Sequence, residues 1–489
     1  MSTLLHYLAQ YSGTAQPRIH SYASHVHSTL TFKAVAKQAQ AYRSQHSELG
    51  GARVAVTMTA SSEVLAQLVA LDGFADELVL LPVDYAVPSN CHYHINERGQ
   101  LRKLHPPASS ALPIATQWSL LGEHHKLVSF TLDDLAANEL VQRARRERPL
   151  RWGVMQEPAE LAGLLVWIRA LKHGEDLVLA QADSLRALAQ MFTHAGVTAI
   201  AAPPRLWRNF IASANVARLP LELAILNGAI VDEPTVHRLQ NIFEGVQVAH
   251  AFSYTQVGVS WLVTDGQLGL PAAFFDKSAR DSESQSPGDS DAQSSGGNDS
   301  QSSGGDDAQN SGGNGAQSSG GDDSQSTGGN GAQSLGGNDS QSTEGIGSQS
   351  SGGNDAQPSD KAAVLTISQG RLAIACRRTD TQILTNLLVE QRENRRVMVI
   401  GQSDTLVVVG GREVYPEQVE AALLAVPGVL DVQACSMPDP VLGELIRVDV
   451  LTPGHRTVAA RKRFKEELQA YCREVLEPWQ RPARYYFHG

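Results

Sequence analysis

Two groups of cysteine and histidine residues stand close together in the sequence and raise the question of a metal site. One group is CHYH (residues 91–94) and the other is His124-His125. A structural zinc site uses four nitrogen and sulfur ligands, which usually come in pairs with a characteristic short spacing. Neither group completes such a set, and the chain contains no Cys-x-x-Cys pair. We therefore predict loop histidines, no metal site and reduced thiols.

A second set of candidate residues lies in GQSDTLVVVGGREVYPEQVE (residues 401–420). Gly410-Gly411 predicts a turn, because glycine adopts positive φ angles without strain. Pro416 predicts the first turn of the helix PEQVEAALLAV, where a missing amide hydrogen does no harm. The strands LDVQACSM and ELIRVDVLTP and the helix ARKRFKEELQAYCREVL follow. These patterns predict a small α+β unit over residues 401–489.

The residues before this unit alternate between helix-like and strand-like stretches. Residues 32–48 predict an amphipathic helix, and the apolar runs ARVAVTMTA and LVLLPVDY predict buried strands on either side of a helix. The same alternation returns from AGLLVWIRALKHG to LELAILNG. Such strands are typical of parallel sheets covered on both faces. We predict a large α/β domain with mostly parallel sheets, and then a hairpin, AVLTISQGRLAIAC, that turns at Gln369-Gly370.

A low-complexity segment interrupts the large domain. An eight-residue unit recurs nine times from Ser284 to Asp355 and contains almost no apolar residue. It cannot bury enough surface to offset the entropy of ordering its backbone, so we predict a disordered Gly/Ser/Asp-rich insert over 276–361. The alternative is a calcium-binding β-roll, which Gly-Gly-Asn-Asp resembles. Those repeats have nine residues and an apolar position, which this unit lacks.

The charge and the hydropathy of the chain exclude several classes of protein. The insert carries 14 acidic and 3 basic residues, which accounts for the whole net charge of −11. The remainder is neutral and presents no strong field to nucleic acid or an anionic membrane. No window approaches 18 uninterrupted apolar residues, and the N-terminus lacks the pattern of a secretory signal. With its scattered cysteines, the chain is predicted to be cytoplasmic.

The run that begins at residue 401 resembles the start of the C-terminal domain of the adenylate-forming (AMP-dependent synthetase and ligase) superfamily, which includes acyl- and aryl-CoA synthetases. In that family a Gly-Arg-x-Asp hinge leads to Gly-Gly, a Tyr-Pro pair and a Glu-rich helix. The resemblance places Gln402 and Asp404 in the hinge, and Gly410 and Gly411 in the loop of the thiol-directed step. The next residues, VPGVLDVQACSMPDPVLGE, match the family's following strand and Pro-Asp-Pro turn.

The large domain shows the same resemblance. ELAILNGAIVDEPTVHRL is similar to the family's Gly-Gly-Ala segment, so Asn227, Gly228 and Ala229 are candidate nucleotide-binding residues. VAHAFSYTQVG is similar to the Gly-Tyr-Gly-x-Thr-Glu segment, which adds Thr255 and Gln256. The implied organisation is a large domain in two parts (1–275 and 362–400), the insert (276–361) and a small hinge-rotating domain (401–489).

The resemblance implies a reaction in two steps. A carboxylate attacks the α-phosphate of ATP, and a thiol from CoA or from a phosphopantetheine carrier protein then attacks the acyl-adenylate after the small domain rotates. ATP and Mg²⁺ are the implied cofactors, and a carboxylic acid is the implied substrate. The first step needs strong charge neutralisation, because an anion attacks a polyanion.

Several positions depart from the family's pattern. The phosphate loop is expected in ATQWSLLGEHHKLVSFTLDDL, where Lys126 is the candidate lysine and Gly122 is the only glycine. Gln256 replaces the magnesium-binding glutamate, Leu387 the ribose-binding aspartate and Gln402 the hinge arginine. An amide brings no negative charge to a metal, and leucine accepts no hydrogen bond. The sequence ends at RPARYYFHG, so we expect the segment with the family's catalytic C-terminal lysine to be absent.

These departures leave three hypotheses. The first is a degenerate member with weak or lost adenylation, which binds an acyl group, an acyl carrier or a partner enzyme in a lipid or polyketide-type pathway. The second is an active AMP-forming ligase that activates a fatty or aromatic acid with the help of Lys126. The third is a non-catalytic interaction protein in which the repeat acts as a spacer.

Overall fold

The computed structural model describes residues 2–11, 18–23, 26–106, 114–138, 148–213, 216–228, 230–275, 363–376, 381–393, 395–454 and 457–488. The predicted insert and the candidate residue Ala229 lie outside these residues. The described α-helices are α1 (Leu4–Ala9), α2 (Phe32–Gln45), α3 (Ser62–Leu71), α4 (Leu132–Ala136), α5 (Leu161–His173), α6 (Leu185–Ala195), α7 (Pro204–Ser213), α8 (Glu233–Ile242), α9 (Pro416–Leu424) and α10 (Val458–Val475).

The described strands form four sheets. In chain order they are β1 (Arg18–Ala23), β2 (Val26–Thr31), β3 (Arg53–Thr57), β4 (Glu77–Leu81), β5 (Tyr93–Ile95), β6 (Leu101–Lys103), β7 (Gln117–Leu121), β8 (Leu127–Phe130), β9 (Arg151–Val154), β10 (Asp176–Gln181), β11 (Ala199–Ala202), β12 (Leu223–Asn227), β13 (Gln247–Tyr254), β14 (Val259–Val263), β15 (Leu270–Pro271), β16 (Ala363–Ser368), β17 (Arg371–Cys376), β18 (Thr381–Gln391), β19 (Arg396–Gln402), β20 (Val407–Val409), β21 (Arg412–Val414), β22 (Asp431–Asp439), β23 (Gly443–Leu451) and β24 (Arg484–His488).

Two sheets of the large domain are parallel in their centres, as predicted. The eight-stranded sheet has the order β14-β13-β12-β11-β9-β10-β1-β2, and only its two edge pairs are antiparallel. The six-stranded sheet has the order β6-β5-β3-β4-β7-β8, again with antiparallel edges. The central strands are buried because their residues are mostly apolar, as in β12, where four apolar residues precede Asn227 and all five are buried.

A third, five-stranded sheet has the order β15-β19-β18-β17-β16, and its strands are antiparallel. It contains the predicted hairpin of β16 and β17. Gln369 and Gly370 both have positive φ angles, 54° and 69°, at the turn. Two central residues with positive φ angles match the right-handed twist of the flanking strands, which explains the two-residue connection.

The C-terminal residues form the predicted α+β unit. Its sheet has the order β21-β20-β23-β22, and β24 pairs in parallel with β23. The helices α9 and α10 contribute the apolar residues Val419, Leu423, Phe464 and Leu468 to its core. Pro416 lies in the first turn of α9, as predicted. Strand β19 runs through residue 401, and the boundary between the domains at this residue stays a prediction.

The ends of the helices follow signals in the sequence. Helix α6 begins after Ser184, whose hydroxyl accepts a hydrogen bond from the Ala187 amide, and it ends at Gly196 in the left-handed conformation with φ 65°. Helix α5 ends at Gly174 in the same way. A side-chain cap satisfies an amide that lacks an intrahelical partner, and glycine adopts this conformation without a Cβ penalty. These ends fix the lengths of the helices that cover the eight-stranded sheet.

Candidate functional site

Asn227 ends strand β12 and is held in one orientation by a chain of polar side chains. Its side chain is buried, and its Nδ2 donates a hydrogen bond to Gln156 Oε1 at 2.6 Å. Gln156 Nε2 in turn donates to Glu160 Oε2 at 3.1 Å. Because an ionised carboxylate only accepts hydrogen bonds, Glu160 fixes the orientation of both amides. Asn227 Oδ1 is left as a buried acceptor without a hydrogen-bond partner in the described part of the chain.

Gly228 follows in a conformation that favours glycine. Its φ angle is 116°, and a Cβ built on it would meet nothing within 4 Å. Its amide donates to the Ala251 carbonyl of the neighbouring strand at 3.1 Å. The candidate segment therefore starts at the carboxyl end of a parallel strand, the edge where α/β proteins bind ligands.

Thr255 and Gln256 form a single turn of 3₁₀-helix after strand β13. Gly258 ends this turn with φ 63°, and Phe130 lies 2.5 Å from the position of a Cβ there. On the other side, Gln256 Nε2 lies 3.1 Å from the position of a Cβ on Gly122. The structure therefore brings Gln256 against the connection that carries Lys126.

Lys126 lies in a β-hairpin. Strands β7 and β8 pair in antiparallel fashion, and the connection from Gly122 to Lys126 closes with a hydrogen bond from the Gly122 amide to the Lys126 carbonyl at 2.8 Å. The Lys126 side chain is exposed. The sequence pattern did not indicate the two strands, since the resemblance to a phosphate loop favoured a loop over the whole segment.

The hydroxyl groups of this segment have structural partners. Thr116 is buried, and its Oγ1 donates to the Ala75 carbonyl at 2.6 Å and accepts from the Gly73 amide at 2.8 Å. Ser119 is also buried, and its hydroxyl is hydrogen-bonded to Glu77 and to Ser129. These contacts tie the segment into the six-stranded sheet rather than presenting its hydroxyls to a ligand.

Asn138 and Tyr254 flank the turn that carries Gln256, and the sequence interpretation missed both. Asn138 Nδ2 donates to the Gly258 carbonyl at 2.7 Å, and its Oδ1 accepts from the Ser260 amide at 2.7 Å. Burial, together with the Glu123 carboxylate, raises the pKa of Tyr254, so its hydroxyl stays protonated. An asparagine after a short helix and a tyrosine at a strand end carry no local signal of these roles.

The predicted hinge residues lie in the antiparallel pair of β18 and β19. Leu387, at the predicted ribose-binding position, is the register partner of Gln402. Asn386 Nδ2 donates to Asp404 Oδ1 at 3.1 Å, and the Ser403 amide donates to the Asn386 carbonyl at 2.7 Å. The structure therefore brings the predicted ribose-binding position and the predicted hinge together, and Asn386 forms the direct side-chain link to Asp404.

Gly410 and Gly411 form a two-residue turn between β20 and β21. Their φ angles are 57° and 80°, and the Gly410 amide donates to the Leu442 carbonyl at 2.9 Å. A Cβ on Gly411 would meet nothing within 4 Å. The backbone conformation alone accounts for glycine at both positions, because this turn requires positive φ angles at both central residues.

The described residues contain no group of three or more His, Cys, Asp or Glu side chains arranged to hold a metal ion. Nor does any helix among them have the length and apolar character needed to cross a membrane. At the predicted magnesium position, Gln256 supplies an amide oxygen without charge. Mg²⁺ is normally bound through carboxylates and phosphate oxygens, so this side chain fits Mg²⁺ poorly.

Sequence comparison relates the C-terminal part of the chain to known enzymes. Residues 418–488 match the AMP-binding enzyme C-terminal domain. A 4-chlorobenzoate–CoA ligase of Pseudomonas is 34% identical over 93 residues, which are 19% of this chain and 16% of the relative. A 2-succinylbenzoate–CoA ligase of Bacillus velezensis is 34% identical over 88 residues, 18% and 17% of the two chains. In these alignments the chain spans less than a fifth of either relative's length.

Structural comparison covers the rest. One similar structure is the o-succinylbenzoate CoA synthetase of Bacillus subtilis, solved with its acyl-adenylate intermediate. It has a TM-score of 0.59 at 14% identity, and the match covers 100% of this chain and 94% of the synthetase chain. Likeness at this identity concerns the fold. The chain thus has the fold of the adenylate-forming superfamily, and residues 418–488 carry that superfamily's C-terminal domain. The relatives matched through this C-terminal part include acyl- and aryl-CoA ligases.

Proposed function

We propose that this chain is an acyl-CoA-synthetase-like protein in which ATP-dependent adenylation is weak or lost. In this proposal it binds an acyl group, an acyl carrier protein or a partner enzyme of a lipid or polyketide-type pathway. The observation that carries the proposal is the packing of Gln256 against the Gly122 turn. This packing supports the proposal because the resemblance assigns a magnesium-binding carboxylate and a glycine-rich loop to these positions, where the chain has a neutral amide and a hairpin.

Charge is the physical basis of this proposal. Adenylation brings a carboxylate to a triphosphate, so the site must supply a metal ion and cations before the transition state is reached. Here Gln256 provides no charge for the metal, Leu387 cannot accept the ribose hydroxyl protons, and Gln402 lacks the guanidinium of the hinge. On the scale of a single oxyanion donor, each loss weakens the transition state by roughly 3–4 kcal/mol, and such losses need not add.

The backbone around Asn227 and Gly228 supports the binding part of the proposal. The carboxyl end of strand β12, the open space beside Gly228 and the relay from Glu160 through Gln156 are all present. These features are independent of the charged groups that adenylation needs. An acyl group carried as a thioester on CoA or on a carrier protein would need no ATP at this site.

The test is calorimetric titration of the full chain with Mg²⁺-ATP, followed on the same sample by pyrophosphate exchange with a panel of fatty and aromatic acids. We expect no ATP binding at millimolar concentration and no exchange that depends on the acid. Binding with acid-dependent exchange would overturn the proposal. Titration with the same acids as their CoA thioesters tests whether the chain still binds an acyl group.

A second candidate is an active AMP-forming ligase, and the proximity of the Lys126 connection to Gln256 favours it. In this case an exposed cation would lie close to the position of the metal and the phosphates. Lys126→Ala would then abolish the exchange activity, while Lys103→Ala, at another exposed lysine, would leave it unchanged. Under the first proposal neither variant changes ATP binding.

A further inference from the structure

A buried charge network joins the large domain to the small C-terminal unit. Arg208 of helix α7 is 6% exposed, and its guanidinium contacts two carboxylates. Its Nη1 donates to Asp232 Oδ2 at 2.8 Å, and its Nε donates to Asp431 Oδ1 at 2.7 Å. Asp232 caps the N-terminus of helix α8 in the large domain, whereas Asp431 begins strand β22 of the small unit. Arg208 is therefore shared between the two.

Arg238 of helix α8 makes a second connection, to the backbone of the small unit. Its guanidinium donates to the carbonyls of Leu424, Val429 and Leu430, the last two at 2.8 and 3.1 Å. Leu424 is the last residue of α9, where carbonyl groups lack intrahelical partners. A cation at this end also interacts favourably with the helix dipole. Arg238 thus caps a helix of the other domain.

Arg205 closes the network at its solvent-exposed rim. It lies one helical turn before Arg208, its Nε donates to Asp431 Oδ2 at 3.2 Å, and its Nη2 donates to Gln433 Oε1 at 3.2 Å. Both oxygens of Asp431 therefore bind an arginine of helix α7. Asp431 is 5% exposed, so its charge relies on these two residues for compensation.

We propose that Arg205, Arg208 and Arg238 form an interdomain clamp that holds the small unit docked on α7 and α8. Separation would leave the Asp431 carboxylate without either guanidinium and three carbonyls of the small unit without Arg238. Breaking a buried ion pair is strongly unfavourable when one charge stays buried, so separation must hydrate all of these groups together. The small unit leaves this face only when the clamp opens.

An open pocket of about 440 Å³ lies between the two sides. Its lining includes the clamp residues Arg208 and Arg238 together with the apolar residues Ile211, Ile242, Leu424 and Val429. The clamp goes beyond the proposed function because it does not depend on any ligand.

Hydrogen exchange measured on the full chain tests the clamp. The clamp variant combines Arg208→Met and Arg238→Met in one chain. The control variant combines Arg98→Met and Arg218→Met, which replace two exposed arginines. The clamp variant is expected to exchange its amides in residues 424–433 and in helix α8 at least tenfold faster than the parent. Residues 448–450 of β23 report on the fold of the small unit and should keep their protection.

Unchanged exchange in 424–433 with an intact β23 would overturn the clamp, as would an equal rise in the control. If β23 also exchanges quickly, the variant has unfolded. The test then uses variants of Arg205 and Gln433 at the exposed rim. Arg205→Glu places a second carboxylate beside Asp431 and should speed exchange in 424–433 by several fold. Gln433→Lys, added to this variant, should restore protection through the reversed pair. Absence of the effect or of the rescue overturns the proposal.

Discussion

Gln256 Nε2 lies 3.1 Å from the position that a Cβ would occupy on Gly122. This contact joins the turn after strand β13 to the hairpin that carries Lys126. By the resemblance, it is the point at which the family's metal-binding and phosphate-binding segments would meet. An amide stands at the metal-binding position, and the Glu123 carboxylate beside Gly122 acts on Tyr254 instead. A single substitution converts the Gln256 amide into an acid of the same shape.

Gln256→Glu should strengthen the binding of Mg²⁺-ATP by about tenfold or more, because a carboxylate offers the charge that an amide lacks. Calorimetric titration with and without Mg²⁺ measures the effect. Gln267→Glu makes the same chemical change at an exposed position and serves as the control. If ATP binding does not respond to Gln256→Glu, the loss of the glutamate is not what limits metal binding at this site.

The buried His250 should lower the free energy of unfolding in mild acid. Burial, and to a lesser degree the Arg396 charge, lower the pKa of His250 from 6.5 to about 4, and its Nε2 faces the Gly269 carbonyl at 3.2 Å. Below pH 6.5 the unfolded chain takes up a proton that the folded chain refuses, so the free energy of unfolding falls as the pH drops towards 4.

The fall amounts to about 3 kcal/mol at most, at 1.36 kcal/mol for each pH unit. Denaturant unfolding between pH 4 and pH 7 measures it. His250→Gln keeps a side-chain donor but does not titrate, and it should remove this part of the pH dependence. The control His105→Gln, at an exposed histidine, should preserve it. Equal slopes for the parent and His250→Gln would contradict the prediction.

The buried Glu420 should lower the free energy of unfolding as the pH rises, the opposite of the effect of His250. Burial, together with the charges of Glu417 and Asp431, raises the pKa of Glu420 from 4.5 to about 7, although the Ala434 amide and Arg208 act against the shift. The folded state then holds a proton that the unfolded state has lost. The free energy of unfolding therefore falls as the pH rises from 4.5 through 7.

Glu420→Gln keeps an acceptor for the Ala434 amide and removes the titration. At pH 8 it should be more stable than the parent by about 2–3 kcal/mol at most, while near pH 4 the two should unfold alike. Glu474→Gln, at an exposed glutamate of α10, is the matched control and should show no such difference. A Glu420→Gln variant that is less stable at pH 8 would show that the ionised carboxylate is stabilising.

Much of the fold follows from the sequence because its central strands have continuous apolar runs and its helices are amphipathic. Strands β10, β11 and β12 are of this kind, and the turns at Gln369-Gly370 and Gly410-Gly411 need positive φ angles that glycine or its neighbour provides. The β7–β8 hairpin was missed. Its strands are short, and the family resemblance favoured a loop there.

The contacts that arrange the candidate site are tertiary, and no local pattern indicates them. Asn138 reaches a carbonyl 120 positions away at Gly258. Arg208 and Asp431 are separated by 223 positions. On its own helix, Arg208 looks like a polar residue of an amphipathic pattern, which normally predicts a solvated face. Only the fold of the distant small unit turns this residue into a buried partner.

Gly411 allows the structural and functional explanations of the Gly-Gly pair to be separated. With φ 80° and open space around a Cβ, the position requires a left-handed conformation but has no steric limit. Gly411→Asn should lower the free energy of unfolding by less than about 1 kcal/mol, since asparagine tolerates this conformation, and Gly411→Val by about 1–2 kcal/mol or more. Denaturant unfolding measures both. If Gly411→Asn is stable but abolishes transfer to a thiol, the glycine is functional.

The prediction that the repeat is a disordered insert can be tested by deleting it, because the residues on either side of it are held together. Phe275 and Leu365 form an isolated bridge, so the two ends of the intervening segment are fixed next to each other. Deleting residues 284–355 removes 72 of the 87 residues between Phe275 and Ala363 and leaves 15 to close the loop. Because loop-closure entropy grows with the logarithm of length, the deletion should raise the free energy of unfolding by about 1–2 kcal/mol.

Denaturant unfolding of the parent and of the deletion variant measures this difference, with and without Ca²⁺. A chain with all nine units, in which serine replaces every aspartate of the repeat, controls for length at altered charge and should unfold like the parent. The disordered-insert prediction requires that Ca²⁺ changes none of the three midpoints. A deletion variant that fails to fold, or a parent that Ca²⁺ alone stabilises, would instead favour a folded repeat such as the β-roll, whose metal-dependent packing would then contribute to the stability of the large domain.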